Sequence, residues 1–254
     1  MKQIRMLSMG AGVQTSYLLL KHPERYDYVL HCDIANGDRE HGEYDITYWI
    51  IDNIIEPFCK DKNIPFVILR HKKNGLWQRC IDKKMIPMMF PRWCTQDHKV
   101  RLMQNYIRKQ LKANYPDNVI ISDIGFSFDE SQRLGNHNEK KKYIKEEYPL
   151  IDMKIKRDEC VKWLNENHPI IMNGNQIDWK EAKSGCWFCP FWRKEKLLKL
   201  TDKQKQEMIV LENNTSHNIK WKVNRPFNEY LNMNLAKLDD FVEDEICSTG
   251  HCFV

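Results

Sequence analysis

The sequence predicts an α/β protein: a doubly wound, mostly parallel, Rossmann-like sheet followed by a smaller, Cys-rich subdomain of helices and irregular chain. Three observations carry this. Short β-rich runs alternate with amphipathic segments through the first half of the chain, which implies parallel strands with helices on both faces. A glycine-punctuated turn follows the first of those runs. After Asn173 convincing buried strands stop, while Cys186, Cys189, Cys247 and Cys252 concentrate there. The two parts are residues 1–168 and 169–254.

Taken in order, Ile4 to Ser8 reads as the first strand and Val13 to Lys21 as the first helix. Tyr28 to Asp33 is a second strand that ends on a carboxylate. Asp45 to Lys60 places Ile46, Trp49, Ile50 and Ile54 at helical spacing, and Pro65 to Leu69 is a third strand. A less regular stretch holds Pro87 and Pro91. Beyond it a helix runs from about Asp97 to Ala113, and Asn118 to Ile124 forms the fourth strand. A helix from Arg157 to Asn167 ends before Pro169, because proline cannot continue the hydrogen-bond ladder. The run Glu139 to Lys142 reads as a solvated loop, its field diluted by Glu146 and Glu147.

Composition bounds the function. Hydrophobic residues make up 42% of 254, with eight Trp and twenty Tyr plus Phe, so a packed core forms and disorder is excluded for most of the chain. Forty basic and thirty-five acidic residues give +5, compatible with phosphate-bearing ligands or nucleic acid without demanding either. Nine cysteines cannot all pair, which favours reduced thiols, metal or redox chemistry. The start, MKQIRMLSMG, lacks a signal-peptide core, and no stretch approaches roughly 18 apolar residues. The expectation is a cytoplasmic protein with no membrane partner; the sequence leaves the oligomeric state open.

The segment Ser8 to Ser16 lies between the first strand and the first helix. Small residues Gly10 and Gly12 let backbone N–H groups approach an anion, the helix start adds partial positive charge, and Gln14, Thr15 and Ser16 add polar groups. It is neither a Walker A loop nor a G-x-G-x-x-G fingerprint. A tight turn before a helix is the plain alternative. Asp33, at the carboxyl end of the second strand, sits where open sheets bind ligands, or else caps the Asn36-Gly37 turn. Together the loop and Asp33 suggest an adenine nucleotide in the crevice.

Cys94 stands near the amino terminus of the helix placed at Asp97, a position that lowers a thiol pKa, with Lys99 five residues on. In Ser184-Gly185-Cys186-Trp187-Phe188-Cys189-Pro190 the C-x-x-C spacing lets two thiolates chelate one centre. Buried inert cysteines are the alternative, and Cys32, Cys59, Cys80 and Cys160 are read that way. A tetrahedral zinc held by Cys186, Cys189, Cys247 and Cys252 is a second metal reading.

These residues carry a resemblance. The chain resembles the phosphoadenosine phosphosulfate (PAPS) reductase-like branch of the adenine nucleotide alpha hydrolase-like superfamily, the PP-loop ATP pyrophosphatases, and is similar to uncharacterised members frequent in bacteriophages. The Ser8 to Ser16 loop resembles the family's S-G-G-x-D-S loop, with two extra residues and Gln14-Thr15-Ser16 where Asp-Ser is expected. Trp93-Cys94-Thr95-Gln96-Asp97-His98-Lys99 resembles the C-C-x-x-x-K element of cluster-bearing reductases, with Trp93 in place of the first cysteine. Gly125 to Arg133 matches a G-x-x-x-x-E-x-x-R segment that lines the nucleotide crevice, where Arg133 pairs with phosphate or sulfate; a capped helix start with an Arg–Glu surface pair is the plain reading. Tyr148-Pro149-Leu150 matches the family's Y-P-L.

The resemblance implies ATP, PAPS or adenylyl sulfate as substrate and a [4Fe-4S] cluster on Cys94, Cys186, Cys189 and Cys252. Lys99 and Cys247 are then the catalytic candidates. Sulfur transfer to a nucleotide or nucleic-acid acceptor is the favoured reaction. A reductase that releases sulfite is the alternative enzyme, and a nucleotide- or nucleic-acid-binding module with structural zinc is the non-enzymatic one. The basic stretch from Lys194 to Lys205 supports the last, although its Leu, Glu and Asp neighbours suit an ordinary solvated face.

Overall fold

The computed structural model describes residues 3–88, 92–136, 144–216, 218–222 and 225–233. Five strands, β1 (Gln3–Met9), β2 (Tyr28–Asp33), β3 (Phe66–Arg70), β4 (Val119–Asp123) and β5 (Ile144–Glu147), form one sheet in the order β3-β2-β1-β4-β5. Every pairing is parallel, with Met6 opposite Tyr28 and Leu7 opposite Asp123. The α/β, Rossmann-like expectation holds at that level.

Strand alternation sorts the side chains onto two cores. Leu7, Met9 and Val29 pack with α1 (Val13–Lys21) and with Leu164 of α6 (Arg157–Asn167). Ile4, Met6, Leu30, Cys32 and Ile120 face the other way, onto Met103, Ile107 and Leu111. Helices therefore cover both faces. Asp123 is fully buried and accepts from Arg5 at 2.5 Å and Arg25 at 3.1 Å, while Arg5 also reaches Glu147 at 2.6 Å, binding β1, β4 and β5 together.

Two helices are interrupted by wider turns. The first, α2, runs Asp45–Ile50, passes through a π turn at Ile51–Ile55 and continues as Glu56–Asp61. Pro57 has no N–H to give, and the Glu56 N–H reaches back five residues to Ile51. After α3 (Leu76–Lys83), the long helix α4 starts at Trp93–Thr95, contains a π turn at Gln96–Val100, and continues through Arg101–Tyr106, a second π turn (Ile107–Leu111) and Lys112–Asn114. The first of these turns holds His98 and Lys99. After β4 come a 3-10 segment, Phe128–Asn136, the short α5 (Pro149–Asp152) and α6.

Beyond α6, a hairpin of β6 (Ile170–Met172) and β7 (Asn175–Ile177) precedes α7 (Lys194–Leu198), α8 (Asp202–Asn213) and α9 (Phe227–Asn232). Thr201 caps α8 reciprocally: its Oγ1 accepts from Gln204 N and Gln204 Oε1 accepts from Thr201 N. A third core joins Trp187, Phe188, Leu197, Met208, Trp221 and Phe227 to Leu76, Trp77 and Cys80 of α3. The cysteine loop is thus seated on the sheet-bearing half by aromatic burial. Cys247 and Cys252, and the run Glu139 to Lys142, lie outside the described residues.

Candidate functional site

Strand order reverses between β1 and β4, and a cavity of about 520 Å³ opens at their carboxyl ends, where open α/β sheets bind ligands. Ser8, Gly12, Gln14 and Thr15 line it from the loop before α1, and Gly125 and Arg133 from the segment after β4. Cys94, Lys99, Cys186 and Cys189 line the opposite wall. The remaining predicted loop residues sit elsewhere. Gly10 borders a separate space of about 30 Å³ beside Ser8, His31 and Lys99, and Ser16 is buried with its hydroxyl unpartnered. Asp33 caps the turn: its carboxylate accepts from Ala35 N, Gly37 N and Arg70 Nε at 2.9 to 3.1 Å and does not line the cavity.

The loop is held from three sides. Gln14 donates to Glu130 at 2.8 Å and accepts from Arg157 at 3.0 Å, so α1, the 3-10 segment and α6 converge on it. A Cβ on Gly125 would stand 2.7 Å from Thr15 Cγ2, so only glycine lets the chain after β4 pass this close to the start of α1. Glu130 also accepts from Arg133, whose guanidinium lies over the Phe126 ring at 4.4 Å. That pair is the Arg–Glu contact of the plain reading, placed inside the cavity wall instead of on the surface.

The cysteine wall is built by the C-x-x-C turn, closed by Cys189 N to Cys186 O at 3.1 Å. It is stitched to the loop after β2 through Tyr44 N to Gly185 O and Trp187 N to Gly42 O, and Trp192 Nε1 donates to Cys186 O at 2.7 Å. The Cys186 and Cys189 thiols lie close enough to act on one another, and Cys94 lies close enough for charge on Cys189 to act on it. The π turn in α4 brings Cys94 and Lys99, five residues apart, onto the same wall.

The helix amino terminus does not lower the Cys94 pKa as the sequence suggests. Burial pushes it up to about 11, with Cys189 adding to the shift, because a low-dielectric site disfavours a bare thiolate. Among the described residues, only Asp38, Glu40 and His41 bring three metal-ligating atoms within 4.8 Å of one another; Cys94, Cys186 and Cys189 do not. Tetrahedral zinc with Zn–S of about 2.3 Å needs sulfurs only about 3.8 Å apart. At least one pair among the three thiols is wider than 4.8 Å.

Three features of the site escape motif reading. Glu43, almost fully buried, pairs with Lys99 at 3.2 Å. Burial alone would lower the Lys99 pKa, but the Glu43 charge and hydrogen bond hold it above its ordinary value. Ser184 presses on the loop, its Oγ 3.3 Å from where a Gly12 Cβ would be, and that buried hydroxyl has no partner. Seven Lys and Arg line the cavity against two Glu, so the positive charge is local to the crevice.

The chain matches no protein-family model and no curated protein. No helix among the described residues is long and apolar enough to cross a membrane.

Proposed function

We propose that the crevice binds ATP or an adenylylated sulfur compound, and that the chain is a PP-loop-type, PAPS reductase-like enzyme transferring sulfur to a nucleotide or nucleic-acid acceptor. One observation carries the reading: a single cavity joins the loop after β1, Lys99, Arg133 and three thiols. A volume of about 520 Å³ suits a nucleotide, within the common range of about 300–1,000 Å³. The unpartnered Ser184 hydroxyl and the start of α1 supply donors for phosphate oxygens. Lys99, kept charged by Glu43, offsets negative charge that develops on a leaving phosphate or sulfate.

Cys94, Cys186 and Cys189 would hold a [4Fe-4S] cluster, with Cys252, outside the described residues, as fourth ligand. When bound, such a cluster supplies soft iron sites that take up sulfur and set the local potential. The chain's own part is to seat those thiols beside the nucleotide and to exclude bulk water with Trp187, Phe188 and Trp192.

Anaerobic purification tests this. The expected protein is brown, contains iron, and loses both colour and iron in Cys94→Ser and Cys186→Ser. ATP should bind, and incubation with ATP plus a sulfur donor should release pyrophosphate or AMP, whereas sulfite from PAPS would identify the reductase. A colourless protein with stoichiometric zinc and no nucleotide affinity would overturn the reading.

A further inference from the structure

The cavity carries more positive charge than a nucleotide site needs, and the surplus is grouped. Arg157, Lys183 and Lys196 stand together on the rim formed by α6, the cysteine loop and α7. The Arg157 guanidinium gives its hydrogen bonds to neutral oxygens, Gln14 Oε1 at 3.0 Å and Lys180 O at 3.5 Å, while its backbone N–H reaches Asp129 Oδ1 at 3.0 Å. Lys196 is half-buried, its ammonium 4.7 Å from the centre of the Trp192 ring and 5.0 Å from that of Tyr44. Among the described residues, no carboxylate forms an ion pair with any of the three. Burial lowers the Lys196 pKa, and repulsion from Lys183, Lys199 and Arg157 adds to the shift, with Glu181 offsetting only part. Like charges grouped on one rim with only partial compensation are relieved by a bound anion.

We propose that Arg157, Lys183 and Lys196 form a second anion subsite that grips the phosphodiester backbone of a single-stranded nucleic acid, the acceptor of the transferred group. This rests on the reading of the inner crevice as a nucleotide site, because the loop before α1 and Ser184 already serve one set of phosphates. Arg157 reaches inward to Gln14, Lys196 is half-buried and Lys183 is exposed on the rim, so a ligand with charges repeated along its length meets all three. A single phosphate meets only some. Aromatic planes accompany them, Trp192 beneath Lys196 and Phe191 with the Arg92 guanidinium 3.9 Å from its ring centre, the combination that single-strand grooves use. A concave wall of this kind admits a strand or an extruded nucleotide, not an intact duplex.

The test is fluorescence anisotropy of labelled single-stranded DNA, single-stranded RNA and duplex DNA with the full chain, alongside ATP binding by calorimetry. The wild type should bind one of the single strands at least about tenfold tighter than duplex. The double variant Lys183→Gln/Lys196→Gln should lose about tenfold or more in strand affinity and flatten the log–log salt slope by about 1.4, two contacts at about 0.7 each. Its ATP affinity should stay within twofold, which also reports that it folds, and Lys183→Arg/Lys196→Arg should keep strand binding. The DNA and RNA arms say which strand is the acceptor. Wild-type protein that binds ATP but no single strand, or a Gln variant with unchanged strand binding, overturns the subsite. Parallel loss of ATP and strand would assign these cations to the nucleotide and overturn it as well. Strand binding without ATP binding would sink the nucleotide reading and leave the subsite standing.

Discussion

Lys99 Nζ donates to Glu43 Oε1 across 3.2 Å, in a place where Glu43 is 1% exposed and its second oxygen has no other partner. Two distant segments meet in this pair: the loop after β2 and the π turn of α4. Glu43 is also bridged to Cys186 by the backbone, so one residue sets both the cation and the cysteine loop.

Glu43→Gln should therefore act twice. Leaving the largely buried Lys99 without its countercharge costs about 1–3 kcal/mol, measured as a drop in the urea midpoint. Burial then lowers the Lys99 pKa below its ordinary 10.5, so ATP affinity of the variant should fall as pH is raised towards that lowered pKa while wild type stays level. Equal pH profiles would show that Glu43 does not hold the charge on Lys99.

Gly125→Ala tests the closeness of the start of α1 to the chain after β4. The new methyl meets Thr15 Cγ2 at 2.7 Å and Thr15 N at 3.2 Å, which forces the start of α1 to shift. The expected cost is about 1–3 kcal/mol of stability, with a several-fold loss of ATP affinity. Thr15→Ser removes the closer of the two contacts, so the double variant should regain part of both. No rescue would place the strain elsewhere.

Most of the sheet was legible because its strands are buried runs bounded by turns: β2, α1 and α6 stand at the residues their patterns predict. Helix α3 was missed, since Leu76 to Lys83 carries its apolar residues on a narrow face between irregular segments. Strand β5 was missed because Ile144-Lys145-Glu146-Glu147 has the charged sequence of an edge strand. In the site, Cys186 and Cys189 were singled out by their spacing and Cys94 and Lys99 by the resemblance, and one cavity is lined by all four. Glu43, Ser184 and Arg157 were not, because each acts through a long-range contact that no local pattern encodes. The stretch from Lys194 looked solvated, yet Lys194 is buried and hydrogen-bonds to Met233 O, and Lys196 faces the cavity.

His98 should make stability depend on pH. It is fully buried in the π turn, neither ring nitrogen has a partner, and burial, then His71, Arg79 and Lys83 against Asp97, lower its pKa from 6.5 to about 4. The unfolded chain then binds the proton more readily between those values. The contribution is complete above about pH 6.5 and is lost as pH falls towards about 4, at roughly 1 kcal/mol per pH unit. His98→Leu should flatten that part of a urea-midpoint profile; an unchanged slope would assign it to other groups.

Metal loading should release protons. Burial pushes Cys94 up to about 11, and the interaction with the Cys189 thiol, followed by burial, raises Cys186 well above the ordinary thiol range, so in metal-free protein near neutral pH both thiols hold their protons. Ligation needs thiolates, and the energy of the metal–sulfur bonds must cover their deprotonation. Anaerobic reconstitution of iron-free protein should therefore release about one proton per ligating cysteine and strengthen steeply from about pH 6 to about pH 8. Cys94→Ser should release about one proton fewer and bind iron weakly, whereas Cys160→Ser, in the core packed on α1, should change neither. Equal proton release in the two variants would remove Cys94 from the ligand set and leave the C-x-x-C pair to bind metal without it.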